Sequence, residues 1–559
     1  MPQDAFTLRY IAKELKQRLT GGKISKIVQP DRDNLIFIIY TANGNVKLEA
    51  CLSAQASRLS LTDGETTAPL TAPNFCMLLR KHLQNAEILD IEQPDFERII
   101  YFDLKCVSDF SESVMRLYFE IMGKYSNAVL TENGVITGAL KTTSIGENTK
   151  RVLFGGVKYT LPEPQDKFPP EDTAAVAEAL KRYEGDKAGF ISGKVKGISY
   201  ATADEISNSH NGNPSAEDIK NYVFGTVPAP CVTFANGEPN DFKVVSVSKD
   251  KKEFDSVLGA QSYYYSYITR KKKFGEKKNR LLSALDSGIK KIDKKLANMR
   301  DKLEECKDTE IIRLKGELIT ANIYSLSKGM TGFEAVNYYD EDCKKITVAL
   351  DKTLTPSQNA QRYFKKYAKL KRTKQNVDVQ LAAAIEQKDY LNGIRTHVCT
   401  AEEIMDLEET ERELAENGLV KKTDNRKKNP VLTPYREYRF EGFKILAGRN
   451  NLQNERLTKS LSPNDLWLHT QKYHSSHVAV ITEGRAVPDS VIKTASEICA
   501  YYSEGRNGGK VPVDYTLKKF VKKPPASNTG FVIYTDYKTA LATPCAHTEI
   551  SEENNGKRK

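Results

Sequence analysis

The chain has 559 residues, enough for several domains at roughly 100–200 residues each. Hydrophobic residues make up 39% and charged residues 28%, and no apolar run approaches the ~18 residues a membrane-spanning helix needs, so membrane residence is excluded from the expectations. Lys and Arg number 84 against 73 Asp and Glu, a formal net charge of +11 that favours an anionic partner, nucleic acid or a membrane surface, without choosing between them. The nine Cys include no C-x-x-C pair, so neither a disulfide framework nor a structural zinc site is expected, and a reducing, cytoplasmic compartment is the simplest reading. The first 25 residues are charged and amphipathic and lack the apolar core of a secretory signal.

In chain order, Leu8, Ile11, Leu15 and Leu19 recur at helical spacing, and Gly21-Gly22 ends that helix. KISKIVQP, NLIFIIY and VKLEACL read as strands separated by Pro-Asp and Asn-Gly turns. FCMLLRKHL (75–83) reads as a second helix, and further strands are expected near 88–92, 98–106, 114–121 and 126–130. The Pro-rich stretch 161–172 reads as a boundary. Residues 173–225 look helical, with Gly197-Ile198-Ser199 between two short helical patterns. That pattern fits a helix-hairpin-helix whose turn amides would face a phosphate, or an ordinary helical hairpin. Residues 231–248 return to strand-like sequence.

Leu282, Leu285, Ile289, Ile292, Leu296, Met299 and Leu303 form a 3-4 seam over three heptads. A second seam runs through Tyr363, Tyr367, Leu370, Lys374, Val377, Leu381 and Ala384, with an irregular insert between the two. The expectation is an antiparallel coiled-coil arm capped by a small tip. Residues 265–315 hold 16 basic and 8 acidic residues, and 362–374 hold seven basic and none acidic. Arg270, Lys271 and Lys272 follow Tyr263, Tyr264, Tyr265 and Tyr267; Lys365, Lys366, Lys369, Lys371 and Arg372 crowd the second seam. Such a run is an RNA footprint or simply a solvated face.

In the last ~115 residues before the tail, Asn, Gly, stackable aromatics and Lys clusters alternate, a surface suited to RNA bases and phosphates. His469, His474 and His477 sit close in sequence, but no Cys or acid completes a recognised metal spacing; RNA contact or packing beside Trp467, the sole tryptophan, is expected instead. No phosphate-cradling G-x-x-x-x-G-K-[ST] and no G-x-G-x-x-G followed by a helix is present. Gly505 to Lys510 reads as a flexible loop. No nucleophile–base pair has informative spacing, so no catalytic residue, cofactor or metal is expected.

LSAQASRLSLT, FCMLLRKHL and EIMGKYSNAVL in the first domain, and GRNNLQNERLT, DLWLHTQKYHSSHV and VPVDYTLKKFVKKPPASNTGFVIYT in the last, resemble the NFACT family of bacterial RqcH proteins. That family also carries the name fibronectin-binding protein A-like and is related to eukaryotic NEMF. The resemblance implies an α+β multidomain chain. It divides into a glycosylase-like NFACT-N domain (1–170), a helix-hairpin-helix (171–230), a return segment packing on NFACT-N (231–262), a coiled-coil arm (263–425), an NFACT-R domain (431–545) and a disordered tail (546–559). It implies binding to the large ribosomal subunit obstructed by peptidyl-tRNA, through ribosomal RNA. It also implies recruitment of alanyl-tRNA, aided by a small RNA-binding accessory factor, for mRNA-independent alanine tailing of the stalled chain. The ribosome would make the peptide bonds, so the chain itself is expected to position tRNA and not to be an enzyme.

By the same resemblance, Glu97-Arg98 takes the place of an Asp-Arg pair that handles tRNA, and Glu120, Ile121, Met122, Gly123 and Lys124 match a motif near the tRNA anticodon region. In the last domain the motif residues are Asn450, Asn451, Trp467, His469, His477, Lys518 and Lys519; Glu455 and Ser475 replace the more common Asp and Gly. Two other readings compete. A surface adhesin for fibronectin would need a signal or anchor, and neither is recognisable. A DNA glycosylase would need Glu after its N-terminal Pro, whereas here Gln3 follows Pro2.

Overall fold

Helix α1 (Ala5–Leu19) buries Leu8, Ile11, Leu15 and Leu19, the stripe set by their spacing. The computed structural model describes residues 3–64, 68–69, 71–108, 111–143, 151–163, 165–340, 344–421, 433–525 and 527–551. Nine strands follow α1: β1 (Lys23–Val28), β2 (Asn34–Thr41), β3 (Gly44–Cys51), β4 (Arg58–Leu61), β5 (Glu87–Glu92), β6 (Ile99–Ser108), β7 (Ser111–Glu120), β8 (Asn127–Glu132) and β9 (Val135–Ala139). They form one antiparallel sheet in the order β4-β3-β2-β1-β5-β6-β7-β8-β9. α1 and α2 (Asn74–Leu83) contribute Leu15, Leu19, Leu79 and Leu83 to its core.

Four short helices, α3 (Thr173–Lys181), α4 (Lys187–Lys194), α5 (Tyr200–Ser209) and α6 (Ala216–Gly225), share a separate small core around Phe190, Ile191, Ile206 and Val223. A three-stranded sheet of β10 (Cys231–Ala235), β11 (Glu238–Lys243) and β12 (Lys251–Glu253) returns Val232 and Phe242 to the first core. The long helix α7 (Val257–Glu305) then begins, its first two amides donating to the Glu14 carboxylate at 2.7 and 3.0 Å, a negative charge where the helix dipole favours one. Tyr264 and Tyr265 belong to this core, so two of the four tyrosines expected to flank an RNA surface are packing residues. This folding unit closes at Thr269.

In the second unit, 270–559, the rest of α7 pairs with α9 (Pro356–Thr400). Asp293 meets Lys388 at 2.6 Å and Asp286 meets Arg395 at 2.9 Å; the reversed order makes the pair antiparallel. Their shared core holds Leu285, Ile292, Leu296 and Met299 on one side and Val377, Ala384, Leu391 and Ile394 on the other. Lys374 is exposed, so it is not the buried polar seam residue that the spacing suggested. Between the two helices, α8 (Thr309–Ala321) and the hairpin β13 (Gly332–Val336) and β14 (Lys345–Ala349) form a small body of their own. Thr355 and Gln358 cap α9 reciprocally, and Pro356 sits in its first turn. α10 (Ile404–Glu416) follows; the basic stretch KKTDNRKKNP lies, apart from Lys421, outside the described residues.

The last sheet is antiparallel, in the order β15 (Arg436–Phe440), β16 (Phe443–Ala447), β18 (Val478–Ile481), β17 (Leu466–Thr470), β19 (Val511–Leu517) and β22 (Lys538–Ala542). A two-stranded pair, β20 (Val521–Lys522) with β21 (Ile533–Tyr534), stands apart from it. Strand alternation sends Leu466 and Leu468 to the face covered by α12 (Asp489–Tyr501) and Trp467 to the opposite face, beside Leu457 of α11 (Asn451–Ser460). Residues 546–551, expected as tail, are packed: His547 bonds Glu497 at 2.8 Å and Ser551 bridges to Tyr438.

Candidate nucleic-acid interface

Three places collect the residues singled out from the sequence. The first is the loop 93–98 of the N-terminal unit. Asp95 and Phe96 both sit at left-handed φ, 47° and 52°, a conformation that costs side-chain-bearing residues free energy and is held here by its neighbours. Lys196 binds the Asp95 carbonyl at 2.8 Å and the Glu97 carboxylate at 2.9 Å. The Phe96 ring lies where a Cβ on Gly197 would stand 2.5 Å away, so only glycine fits there. Asp4 accepts from the Ser199 amide at 3.0 Å, and the Gly197 carbonyl takes the Ala5 amide at 3.0 Å. The hairpin turn is therefore docked on α1, and the Ser199 amide is not free to face a phosphate. Glu97 is committed to Lys196, while Arg98 is half-buried and has no ion-pair partner among the described residues. Burial, and then the Arg98 guanidinium, hold the Lys167 ammonium below its usual range.

Glu120 and Ile121, expected at an RNA contact, are interior residues. The Glu120 carboxylate is buried and holds Arg151 at 2.7 Å and the Tyr159 hydroxyl at 2.8 Å, and Ile121 is fully buried. Met122 and Gly123 are part-exposed, Gly123 at φ 60°, and Lys124 is exposed over the Tyr125 ring at 4.8 Å.

The second place is α9. Lys365, Lys366, Lys369, Lys371 and Arg372 are all exposed, and none has a carboxylate partner among the described residues. At about 100° per residue, Lys365, Lys366, Lys369 and Arg372 fall on one face and Lys371 on the other, over Tyr367. Arg270, Lys271 and Lys272 are exposed on α7, with Lys272 3.9 Å from Glu276.

The third is a cavity of about 330 Å³ within the second unit, walled by α9, the 470–477 loop and the 528–534 segment. Four of the seven histidines line it: His397, His469, His474 and His477. The His469 ring is parallel to Trp467 and the His477 ring edge-on to it, centroids 5.7 and 5.1 Å away. Burial pushes His397 and His469 down to about 4 and His477 well below its ordinary value, so all three are neutral at pH 7. The Trp467 indole N–H and the His397 Nδ1 are buried without a hydrogen-bond partner among the described residues. Among the described residues no group of three His, Cys, Asp or Glu is disposed to hold a metal ion.

Asn450 and Asn451, like Glu120, are buried and used internally. Asn450 caps α11 and donates to Glu409 at 2.8 Å; Asn451 donates to Glu413 at 3.0 Å and meets His397 Nε2 at 3.1 Å. Trp467 and His477 are likewise interior. Lys518 is half-buried and Lys519 exposed in a turn tied back to Asp465 and Pro463. The sequence reading missed His397, Asp389 and Tyr390 of α9 as cavity walls. For Asp406, Glu409 and Glu413, which recur at helical spacing, that periodic stripe was the available signal. Asp406 holds Arg449 at 2.5 Å and Arg436 at 2.9 Å, all three buried. Burial alone would raise the Asp406 carboxyl; the two guanidiniums outweigh it and hold it below its usual range.

The model of the NFACT N-terminal and middle domains matches residues 4–431, and that of the NFACT protein RNA binding domain matches 435–535. The chain belongs to the NFACT family. Among curated NFACT relatives, the Rqc2 homolog RqcH of Bacillus subtilis (strain 168) is 34% identical over 562 residues, covering 96% of this chain and 97% of that protein. The protein of the same name from Streptococcus suis (strain 05ZYH33) is 30% identical over 553 residues, covering 97% and 98%. The Ribosome quality control complex subunit 2 of Saccharomyces cerevisiae is 27% identical over 144 residues, 26% of this chain and 13% of that protein. Among solved structures, the N-terminal part of the fibronectin/fibrinogen-binding protein from Streptococcus suis is 25% identical, with a TM-score of 0.43 over 47% of this chain and 98% of that one.

Proposed function

We propose that this NFACT protein is a cytoplasmic ribosome quality-control factor that binds the large subunit obstructed by peptidyl-tRNA and promotes alanine tailing of the stalled chain. The observation that carries this reading is the similarity to RqcH proteins over nearly the whole of both chains, covering the N-terminal, middle and RNA-binding domains. The exposed cations of α9 fit a ribosomal RNA contact, with Arg270, Lys271 and Lys272 as a second basic surface. Arg98, positioned by the strained 93–98 loop and without an ion-pair partner among the described residues, is our candidate for alanyl-tRNA, with Met122, Gly123 and Lys124 nearer the anticodon. In this reading Glu97 orients the loop through Lys196. The protein supplies proximity between tRNA and nascent chain, and the peptidyl transferase centre supplies the chemistry. We read the first domain as glycosylase-like, α4–α5 as a helix-hairpin-helix and the α7–α9 pair as a coiled-coil arm. A small RNA-binding accessory factor completes the proposed assembly.

Mass spectrometry of nascent-chain ends in cells relying on this protein tests the proposal. Wild type is expected to give untemplated C-terminal alanines. Glu97→Ala with Arg98→Ala is expected to abolish them while the protein still sediments with the large subunit. Tails that persist in the double variant would remove Arg98 from the tRNA role.

A further inference from the structure

We propose that the cavity beside Trp467 takes an unstacked nucleobase from single-stranded RNA. This rests on the RNA-binding reading of the C-terminal domain and adds to it a site and a ligand class. Backbone phosphates are satisfied by lysines on an open surface; a walled pocket lined by aromatic and imidazole rings suits a flat heterocycle instead. Its polar inventory is matched to a base edge. His469, neutral at pH 7, places Nδ1 2.7 Å from the Thr470 carbonyl; it donates there and leaves Nε2 as an acceptor. Trp467, parallel to it at an interplanar angle of 3°, backs the wall with an indole N–H that has no hydrogen-bond partner among the described residues. His397 Nε2 lies 3.1 Å from Asn451 Oδ1 and 3.4 Å from Asn454 Nδ2, and its Nδ1 is buried with no hydrogen-bond partner among the described residues. An acceptor on His469 and orphaned ring nitrogens on Trp467 and His397, set among aromatic rings, suit a heterocycle carrying both ring nitrogens and exocyclic groups.

The mouth has the complementary property. Tyr473 and Phe531, wall residues that are 41% and 51% exposed, are large rings left in solvent at the entrance, ready to stack on a base as it leaves its strand. Lys472, exposed beside Tyr473, stands where the attached phosphate would follow. The buried residues behind the pocket explain its rigidity. Tyr390 and His397 of α9 bond Glu413 and Asn451, and Asn450 bonds Glu409 of α10, so the slot is preformed and a base loses little free energy to protein ordering.

The sole tryptophan makes the site directly readable. The full chain is titrated with a six-nucleotide single-stranded RNA and with a six-unit abasic ribose-phosphate strand of equal charge, following Trp467 fluorescence and affinity. The normal strand is expected to change the fluorescence and to bind about ten-fold more tightly than the abasic one, one stacked base's worth. Tyr473→Ala with Phe531→Ala, surface changes checked by thermal unfolding, is expected to erase that ten-fold difference and to leave abasic binding as it was. Equal affinity for the two strands with no fluorescence change overturns the base pocket and leaves the RNA-binding reading standing. No binding of either strand overturns both.

Discussion

The cation row of α9 and the cavity wall of the C-terminal domain belong to one folding unit and behave oppositely. On α9 the charges are exposed and lack acidic partners among the described residues, so they act at a distance and are screened by salt. In the C-terminal domain the polar groups are buried and tied to one another, so they set shape and contribute little long-range field. The contrast separates attraction to RNA from recognition of it, and it predicts that the two regions fail differently when altered.

The largest expected effect is on the buried side. Asp406→Ala leaves the Arg436 and Arg449 guanidiniums inside the protein with their shared counter-charge removed. Breaking a buried pair in this way costs about 3–5 kcal/mol, visible as a lowered unfolding midpoint of the second unit by calorimetry. A loss under ~1 kcal/mol would mean that this network does not hold α10 on the sheet.

A smaller effect comes from protons. His397, His469 and His477 have folded-state values below the ordinary 6.5, with His397 and His469 near 4. As pH falls from 6.5 towards 4, the unfolded chain takes up protons that the folded one refuses, so their contribution to stability is complete above pH 6.5 and is lost across that window. Glu413, pushed up by burial, acts in the opposite sense and offsets part of the loss. Denaturant melts at pH 7.0 and 5.0 are expected to show a lower midpoint at pH 5.0, with less of a drop in His397→Phe. An unchanged midpoint in the wild type would contradict the burial of these rings.

The same contrast explains what was legible in the sequence. Exposed charge can be read from composition, and Lys365 to Arg372 lie in solvent as their density required. Helical spacing identified the α1 stripe and most of the α7 seam, because one face of a helix repeats locally. Motif residues are different. Glu120, Asn450 and Asn451 look like ligand-binding groups when written as letters, yet their partners Arg151, Glu409 and Glu413 lie 31, 41 and 38 positions away, and only folding brings them together. Lys374 has the right spacing for the seam but a charged end that solvent retains. His397 was invisible because the seam read from spacing on this helix stops at Ala384, short of it.

The most direct test of the central claim is sedimentation with free large ribosomal subunits over a salt series. It compares wild type with the variant in which Lys365, Lys366, Lys369, Lys371 and Arg372 are all changed to Glu. Wild type is expected to co-sediment and to weaken steeply with salt, and the variant to be released at physiological salt, about 100-fold weaker and with a salt slope reduced by several units, while its unfolding midpoint stays unchanged. Five Gln substitutions should give a smaller defect. If the Glu variant sediments like the wild type across the series, the α9 row is only a solvated face, and the account of how this chain reaches ribosomal RNA is wrong.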